Sequence, residues 1–284
     1  MKSIFKKPLA LALALALSIA LFACKSTPAA SPTPSADTPP VESVTPPEET
    51  ATPDPLSGDL IVFAAASMTE SMNALAAEFN KANPGVNVIF TFDSSGTLQT
   101  QIEEGAEADI FVSAAQKQMN ALAEKELVNT ATRFDLLENK VALVVPDGNP
   151  KNILTFEDAA KAEKIALGGA DVPVGAYSEE IFTAMGVWDE MQSRITFGAN
   201  VKEVAAWIKE GVADCGVVYA TDAAAQKLTI VGYAPEGTLK TPIIYPASAL
   251  AGAKNTAAAE AFLAFLQTSE AKAILTEYGF APLG

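Results

Sequence analysis

Apolar and polar positions alternate in two different ways along residues 58–284. Short runs in which nearly every residue is apolar or β-branched are typical of buried strands, and they predict strands over 60–63, 86–92, 108–113, 141–145, 164–167, 195–198, 217–219, 228–233 and 243–247. Apolar residues three or four positions apart are typical of helices, and they predict helices over 68–82, 97–104, 115–124, 156–162, 176–185, 201–210, 223–227, 255–268 and 269–278. The alternation predicts an α/β fold with mostly parallel sheets, in one large or two modest domains.

The first 23 residues have the pattern of a secretory signal. Three lysines within the first seven residues precede an apolar run from 8 to 23, which is too short to span a membrane comfortably. The run ends in Leu21-Phe22-Ala23-Cys24, which resembles the lipobox of bacterial lipoproteins, although Phe22 is a less usual residue there. We therefore expect a signal peptide over 1–23 and lipidation of Cys24. The alternative is an ordinary signal peptide followed by an accidental cysteine.

The segment 24–57 has the composition of a linker. It is dominated by Pro, Ser, Thr, Ala and acidic residues and has almost no large apolar side chain. Such a sequence cannot bury enough apolar surface to fold. We expect a disordered tether that keeps the following domain near a membrane but free to move.

Charge and composition exclude several classes of protein. The chain has 34 acidic residues against 19 Lys and Arg, a net charge of −15, and such a surface repels nucleic acid and anionic membranes. It has no histidine, which excludes a Ser-His-Asp triad and a histidine-ligated zinc site. With Cys24 lipidated, Cys215 stands alone in an apolar run, and we expect it to be a buried free thiol.

The stretch 59–70 predicts an anion-binding turn. A buried strand runs into three alanines, and Ser67 then stands three positions before Glu70 at the start of a helix, which is the spacing of a capping box. The free N–H groups of a helix N-terminus and the helix dipole together attract an anion. The alternative is a plain strand–turn–helix unit in which Ser67 only caps the helix.

Three more turns between a strand and a helix carry small or polar residues, and they contain Ser95, Val174 and Val201. Because ligands of open α/β sheets bind at the carboxyl ends of strands, the four turns together have the pattern that an oxyanion site needs. The only cation beside these positions is Lys202, which we expect on a solvated helix face. A site made only of hydrogen-bond donors suits a fully deprotonated tetrahedral dianion. We interpret Asp93 as a turn residue; the alternative is a hydrogen-bond acceptor in the site.

Six motifs along 58–284 carry a family resemblance. They are FAAAS at 63–67, FDSSGTL at 92–98, ADIFVSA at 108–114, VPVGAY at 172–177, GVVYATDA at 216–223 and YGF at 278–280. In this order they resemble the periplasmic molybdate-binding proteins of ABC importers. The resemblance implies a two-lobe periplasmic-binding-protein type II fold, in which 58–139 and 235–284 form the first lobe and 140–234 the second.

The resemblance also implies a set of residues that bind molybdate. Ser67 and Ser95 would donate hydroxyl and backbone N–H groups from the first lobe, and Val174 and Val201 would donate backbone N–H groups from the second. Tyr219 would donate its phenolic O–H. The molybdenum would be held only through its oxyanion, so that no residue ligates the metal directly, no cofactor is needed and no catalytic residue is expected.

Three positions depart modestly from the family pattern. Asp93 is acidic where a small neutral residue often stands, Gly96 replaces a common hydroxyl residue, and Val174 stands where Ala is frequent. The last change matters little if only the backbone N–H is used. Ser94 is an alternative to Ser95 for the contact from the first lobe.

We therefore expect a monomeric solute-binding protein outside the cytoplasm, lipid-anchored through Cys24 to the cell membrane of a bacterium. It would close around molybdate or tungstate and present the anion to an ABC permease, without acting as an enzyme. Three alternatives stay open: a carrier of another oxyanion such as sulfate or phosphate, a serine-type hydrolase with Ser67 as nucleophile, and a structural lipoprotein or adhesin.

Overall fold

The computed structural model of the chain describes residues 55–284. The predicted signal peptide, the predicted lipidation of Cys24 and nearly all of the predicted tether lie outside the described residues. Within 55–284, no helix is long and apolar enough to cross a membrane. Residues 55–284 belong to one compact unit, which contains every helix and strand given below.

Strands and helices alternate along the chain, as the apolar pattern predicts. The strands are β1 (Gly58–Ala65), β2 (Val86–Asp93), β3 (Ile110–Val112), β4 (Phe134–Asn139), β5 (Val141–Val145), β6 (Ile165–Gly168), β7 (Ile195–Gly198), β8 (Cys215–Tyr219), β9 (Thr229–Tyr233), β10 (Ile243–Ala249) and β11 (Ala281–Pro282). The α-helices are α1 (Thr69–Ala82), α2 (Ser95–Glu103), α3 (Gln116–Glu124), α4 (Pro173–Ala184), α5 (Trp188–Met191), α6 (Val201–Lys209), α7 (Ala220–Gln226), α8 (Thr256–Leu266) and α9 (Ser269–Glu277). Short 3-10 helices lie at Ala66–Met68, Thr130–Thr132, Glu157–Lys161 and Gln192–Arg194.

The strands form two sheets, one of six strands in the order β11-β4-β10-β3-β1-β2 and one of five in the order β7-β6-β8-β5-β9. The α/β fold with two sheets is confirmed, but the pairing is mixed where mostly parallel sheets were predicted. β1 pairs parallel with β2 and β3, and β6 pairs parallel with β7 and β8. Every antiparallel pair contains β5 or β10, except the pair of β11 with β4. β5 and β10 follow the two crossings of the chain between the sheets, and β11 is the last strand.

The chain crosses between the two sheets twice. It passes from the first sheet to the second between Asn139 and Val141 and returns between Tyr233 and Ile243. The strands of the first sheet lie within 58–139 and 243–282, and those of the second lie within 141–233. We call 58–139 with 235–284 the first lobe and 140–234 the second lobe; the boundaries at single residues stay a prediction.

Several elements differ from the sequence-based expectation. The apolar pattern predicted neither α5 nor β11, which are four and two residues long. β4 was not predicted because Asp135 and Glu138 interrupt its apolar pattern, and it is held as a strand by its neighbours β10 and β11. The helix predicted over 156–162 is a 3-10 helix. α4 begins at Pro173, earlier than predicted, because proline suits the first helical position.

The core joins the helices to the sheets through apolar side chains. In the first lobe, the Phe79 ring of α1 meets the Phe262 ring of α8 edge to face, with centroids 5.1 Å apart. In the second lobe, Phe156 packs on Phe182 at 5.8 Å. Every residue of β5 is buried, as expected for a strand covered on both faces. These contacts make each lobe a rigid support for the turns at the ends of its strands.

Candidate functional site

The ends of strands from both lobes meet at one narrow cavity with a volume of about 10 Å³. Its lining is Ala65, Ala66, Ser67, Asp93, Ser94, Ser95, Ala114, Val172, Pro173, Val201 and Tyr219. Four of the five predicted binding residues are therefore brought together. The fifth, Val174, is fully buried directly after Pro173, in the first turn of α4.

Ser67 lies in the short 3-10 helix between β1 and α1. The predicted capping box is wrong, because α1 has Met68 at its N-cap position and no side chain caps it. The three-residue 3-10 turn moves Ser67 out of the capping position. Its Oγ lies instead 3.1 Å from the hydroxyl of Tyr245 on β10, so the serine hydroxyl is oriented by a buried partner at the wall of the cavity.

Ser94 and Ser95 form different hydrogen bonds. Ser94 is the N-cap of α2, where its Oγ accepts a hydrogen bond from the N–H of Thr97 at 3.1 Å. Ser95 is fully buried, and its Oγ accepts from the N–H of Ala114 at 2.9 Å. Because the oxygen of Ser95 is already an acceptor, its proton is available to a ligand.

The Asp93 carboxylate also belongs to the wall of the cavity. Its Oδ1 accepts a hydrogen bond from the N–H of Ser94 at 2.7 Å, which agrees with its interpretation as a turn residue. Its second oxygen stays available as an acceptor, so the wall combines several donors with one carboxylate oxygen.

The second lobe contributes two helix N-termini. Val174 and Val201 stand in the first turns of α4 and α6 and are buried. N–H groups of a first helical turn have no acceptor within their own helix. At the start of α6, Asn200 Oδ1 accepts a hydrogen bond from the N–H of Glu203 at 3.1 Å. The Asn200 side chain therefore does not accept from the N–H of Val201.

Tyr219 ends β8 and is almost fully buried. Burial raises its pKa well above the ordinary range, and Tyr245 and Tyr177 raise it further, so the phenol stays protonated and is a donor. Its O–H points to the carbonyl of Ala114 in the first lobe at a long 3.5 Å. Its ring meets that of Tyr245 edge to face, with centroids 5.5 Å apart.

Tyr245 and Asn139 were missed as parts of the site by sequence reasoning. The Tyr245 hydroxyl lies within hydrogen-bond distance of Ser67 and accepts from Asn139 Nδ2 at 3.2 Å. Asn139 also donates to the hydroxyl of Thr221 in the second lobe at 3.0 Å. The available signal was a tyrosine inside an otherwise apolar strand, because a buried phenol needs a polar partner.

The two lobes touch each other around the cavity. The N–H of Gly96 donates to the carbonyl of Asp171 at 3.0 Å, and Lys202 Nζ lies 2.5 Å from Glu70 Oε1. Each contact joins a first-lobe residue to a second-lobe residue, so the structure represents a closed cleft. Lys202 lies outside the lining of the cavity and keeps 29% of its side chain exposed, as expected, but it also forms an ion pair across the cleft, which was not predicted.

The charges close to the cavity are mainly acidic. No Lys or Arg is among the lining residues. Asp222 is buried beside Ser67 in a neighbouring cavity, and within 55–284 its Oδ2 has no hydrogen-bond partner. Burial raises the pKa of Asp222 to about 7, with Lys202 lowering it and Glu70 raising it. An anion here must be held by short-range donors.

The described residues give little support to metal ligation or thiol chemistry. Within 55–284 there is no group of three or more Asp, Glu, Cys or His side chains that could hold a metal ion. Cys215 is a buried free cysteine, as predicted. Burial raises the pKa of its thiol to about 12, so the nucleophilic thiolate is scarce at neutral pH.

Comparison with known proteins agrees with this architecture. The model of the family described as bacterial extracellular solute-binding protein matches residues 60–281. The molybdate-binding protein ModA of Haemophilus influenzae is 39% identical over 235 residues, which cover 79% of this chain and 91% of that protein. The putative ABC transporter substrate-binding lipoprotein YvgL of Bacillus subtilis is 34% identical over 223 residues, covering 78% of this chain and 85% of that one.

A solved structure shares the same fold. The substrate-binding domain of a putative molybdenum ABC transporter from Clostridium difficile superposes with a TM-score of 0.61 at 36% identity, covering 80% of this chain and 99% of that chain. The family model covers both lobes and all the turns that line the cavity. The chain therefore belongs to the bacterial extracellular solute-binding proteins.

Proposed function

We propose that this protein captures molybdate, and tungstate with it, between its two lobes and hands the anion to an ABC permease. One observation carries the proposal: two serine hydroxyls, one tyrosine hydroxyl and the N-termini of two helices converge on a single cavity whose lining contains no cation. The names of the relatives support molybdate as the anion.

The donors would hold the anion from both sides. Ser67 and Ser95 donate from the first lobe, while Val174, Val201 and Tyr219 donate from the second. Hydrogen bonds to a charged group contribute roughly 1.5–3 kcal/mol each. Five to seven of them offset dehydration and ordering and leave a binding free energy of about 8–10 kcal/mol, near micromolar or tighter.

The anion would leave chemically unchanged. The proposed site needs no cofactor, no residue ligates the molybdenum directly and no group acts as a nucleophile. Ser67, the nucleophile of the hydrolase alternative, has its hydroxyl within hydrogen-bond distance of the Tyr245 phenol, and that phenol stays protonated because burial raises its pKa. We propose a monomer that binds, closes and docks on its permease.

The protein would work outside the cytoplasm, anchored to the membrane of a bacterium. This part of the proposal rests on the signal-like segment 1–23 and the lipobox that ends at Cys24. A relative described as a lipoprotein supports it. Mass spectrometry of the mature chain tests it: a lipid on an N-terminal Cys24 is expected, and a mature chain of unmodified mass would refute the anchor.

A carrier of a protonated oxyanion such as phosphate is the second candidate. The observation that favours it is the free oxygen of Asp93 in the cavity wall, since an oxyanion that keeps a proton needs an acceptor. Replacing Asp93 with Asn would weaken phosphate binding in that case and would leave molybdate binding unchanged or stronger.

Thermal unfolding of the 52–284 fragment with molybdate, tungstate, sulfate or phosphate distinguishes the candidates. A ligand at about 100 times its dissociation constant stabilises the folded state by about 2.7 kcal/mol. The proposal expects molybdate and tungstate to raise the melting temperature at concentrations at which sulfate and phosphate do not. A shift with sulfate or phosphate alone would change the ligand, and no shift with any oxyanion would overturn the proposed function.

A further inference from the structure

We propose that Asp222 is a proton-binding site coupled to the anion site, so that the protein takes up a proton together with its dianion. The inference rests on the proposed function, because it needs a dianion between the lobes. It deepens that function by adding a second site beside the first. Asp222 acts on the anion through space, and every proposed donor keeps its role.

The Asp222 carboxylate is almost completely enclosed but incompletely paired. The residue is 5% exposed, and among the residues that the structure describes no donor reaches its Oδ2. A buried charged oxygen without a partner costs free energy, which favours the protonated form of a carboxyl group. In agreement with this geometry, burial raises the pKa of Asp222 to about 7.

The polar side chains around Asp222 have other partners. Ser71 Oγ donates to a backbone carbonyl of its own turn at 3.1 Å, and Ser67 Oγ lies 3.1 Å from a buried phenol oxygen. Lys202 holds Glu70 in the ion pair across the cleft. Neutralisation of the Asp222 carboxylate is therefore left to a proton, since the part of the chain that the structure describes offers no cluster for a metal ion.

The anion cavity and the cavity of Asp222 share a wall. Ser67 lines the anion cavity and also the neighbouring cavity of about 260 Å³ in which Asp222 lies. Tyr219, a proposed donor, stands three positions before Asp222 at the start of α7. Because buried charges are poorly screened, a bound dianion repels the carboxylate. Anion binding therefore raises the pKa of Asp222 further and draws a proton onto it.

The enclosure of Asp222 depends on both lobes. Its helix α7 belongs to the second lobe, while the first lobe provides the opposite wall with Ser67, Ser71 and the segment 277–280. Separation of the lobes would admit water to the carboxyl and move its pKa toward the ordinary value of about 3.9. Closure and the dianion act in the same direction, so opening at the permease would favour release of the proton and the anion together.

The other charged and titratable groups around Asp222 come from several elements. Lys202 opposes protonation of Asp222 and Glu70 favours it, and these two charges are joined in one ion pair. β5 and β9, which also pack on α7, offer no charged side chain. Asp222 is thus the carboxyl of this region that is both buried and unpaired. The surrounding groups are Glu70 on α1, Lys202 on α6, Tyr219 on β8, Tyr245 on β10, Lys227 at the end of α7, and Glu277 and Tyr278 at the end of α9.

Calorimetry of the 52–284 fragment counts the protons, when molybdate is titrated in buffers of different ionisation enthalpy such as HEPES and Tris. At about pH 7.5 we expect a net uptake of about half a proton or more per molybdate. Asp222→Asn keeps the size of the side chain and should bind molybdate with almost no uptake. Glu277→Gln is the matched control, because this exposed carboxyl lines the same cavity, and it should keep the native uptake.

Each outcome of this titration decides between the two proposals. Binding of molybdate without proton uptake in the native fragment would overturn the inference and leave the proposed function intact. Uptake that persists in Asp222→Asn, or that is lost equally in Glu277→Gln, would also overturn the inference. Absence of binding heat with every oxyanion in both buffers would overturn the proposed function, and the inference with it.

The affinity itself gives an independent reading. With one linked proton, the affinity of the native fragment for molybdate should fall by up to about tenfold per pH unit between about pH 7 and pH 8.5. Asp222→Asn should be nearly flat over this range and should bind more tightly than the native fragment at its upper end. Parallel pH profiles of the two proteins would overturn the inference.

A further measurement needs no variant. The carboxyl-carbon NMR signal of Asp222 in the native fragment should titrate at a higher pH with molybdate bound than without it. An unchanged midpoint would overturn the inference even if Asp222→Asn failed to fold.

Discussion

Lys202 and Glu70 form an ion pair across the cleft, with Nζ and Oε1 2.5 Å apart. Lys202 stands at the start of α6 in the second lobe and Glu70 at the start of α1 in the first, 132 positions away in sequence. Glu70 also lies in the first turn of α1, where a negative charge suits the helix dipole. The pair exists only while the lobes are together, so its free energy belongs to the closed state.

We expect a double-mutant cycle of Lys202→Met and Glu70→Gln to show a coupling in molybdate affinity. The side chains are 29% and 46% exposed, and pairs of this kind contribute roughly 0.2–1 kcal/mol, which corresponds to at most about fivefold in affinity. Because salt screens exposed pairs, the coupling measured by calorimetry should shrink as the ionic strength rises.

The Lys81–Glu78 pair provides the control for this cycle. Its two side chains lie 2.5 Å apart within the first lobe and do not bridge the cleft. The equivalent cycle of Lys81→Met and Glu78→Gln should show no coupling in affinity. A coupling of the same size at both pairs would mean that general charge effects, and not closure, explain the result.

Removal of single donor hydroxyls should weaken molybdate binding strongly. Ser95→Ala and Tyr219→Phe each remove one hydrogen bond to a charged ligand, which is worth roughly 1.5–3 kcal/mol or about 10- to 150-fold in affinity. Calorimetric titration of each variant measures the loss. Ser95→Ala also leaves the N–H of Ala114 without its acceptor, so its melting temperature without ligand should fall as well.

Two further variants are matched to these deletions. Ser248→Ala removes another fully buried serine hydroxyl, which donates to the carbonyl of Asn129 in the first lobe. Tyr233→Phe removes a phenol hydroxyl from an exposed tyrosine at the crossing between the lobes. Both should keep native affinity; equal losses in the controls and the site variants would contradict the assignment of the site.

The sequence contains enough information to predict the strands and most of the turns at the site. Runs such as β5 are apolar throughout because both faces are covered, and this pattern is local. The residues predicted at strand ends, Ser95, Val201 and Tyr219, do line one cavity. Within each sheet this follows from a general property of α/β folds, in which the carboxyl ends of parallel strands lie at one edge. That the edges of the two sheets face each other depends on the two crossings of the chain between them.

What the sequence cannot supply is the partner of each polar group. The spacing of Ser67 and Glu70 fits a capping box, but the partner of Ser67 is Tyr245, 178 positions away. The partner of Glu70 is Lys202 in the other lobe. Local patterns describe which partners are near in sequence, and both of these contacts depend on how the chain crosses twice between the sheets.

Asp222 should make the stability of the protein depend on pH. Burial raises the pKa of its carboxyl to about 7, above the ordinary value of about 3.9, so the folded protein binds the proton more tightly than the unfolded chain. Its contribution to the free energy of unfolding is therefore fully present below about pH 4 and is lost as the pH rises through about 7. The loss is at most about 4 kcal/mol.

The Asp222→Asn variant checks this dependence, since it keeps the size of the side chain and removes the charge. Denaturant unfolding from pH 4 to pH 8 gives the free energy of unfolding of both proteins. The value for the variant minus that for the native protein should rise up to about pH 7 and stay constant above it. Asp189→Asn, at an exposed position, should show no such trend. A flat difference for Asp222→Asn would mean that the buried carboxylate is solvated or paired.

Tyr245 is expected to act on the ligand through Ser67. Its hydroxyl lies 3.1 Å from Ser67 Oγ and accepts from Asn139 at 3.2 Å, and it is not among the residues that line the anion cavity. Tyr245→Phe should therefore weaken molybdate binding only a few-fold, by freeing the Ser67 hydroxyl to rotate, whereas Ser67→Ala removes the donor itself.

The combination of both substitutions is decisive for this role. If Tyr245 only orients Ser67, the double variant Ser67→Ala/Tyr245→Phe should bind molybdate no more weakly than Ser67→Ala alone, because the residue to be oriented is already gone. Additive losses in the calorimetric affinities would show that Tyr245 contacts the anion directly. The melting temperature without ligand distinguishes both outcomes from damage to the core. The Tyr245 ring is fully buried against Tyr219 and Phe280. Phenylalanine keeps this ring packing, so a large fall in the melting temperature is not expected from Tyr245→Phe.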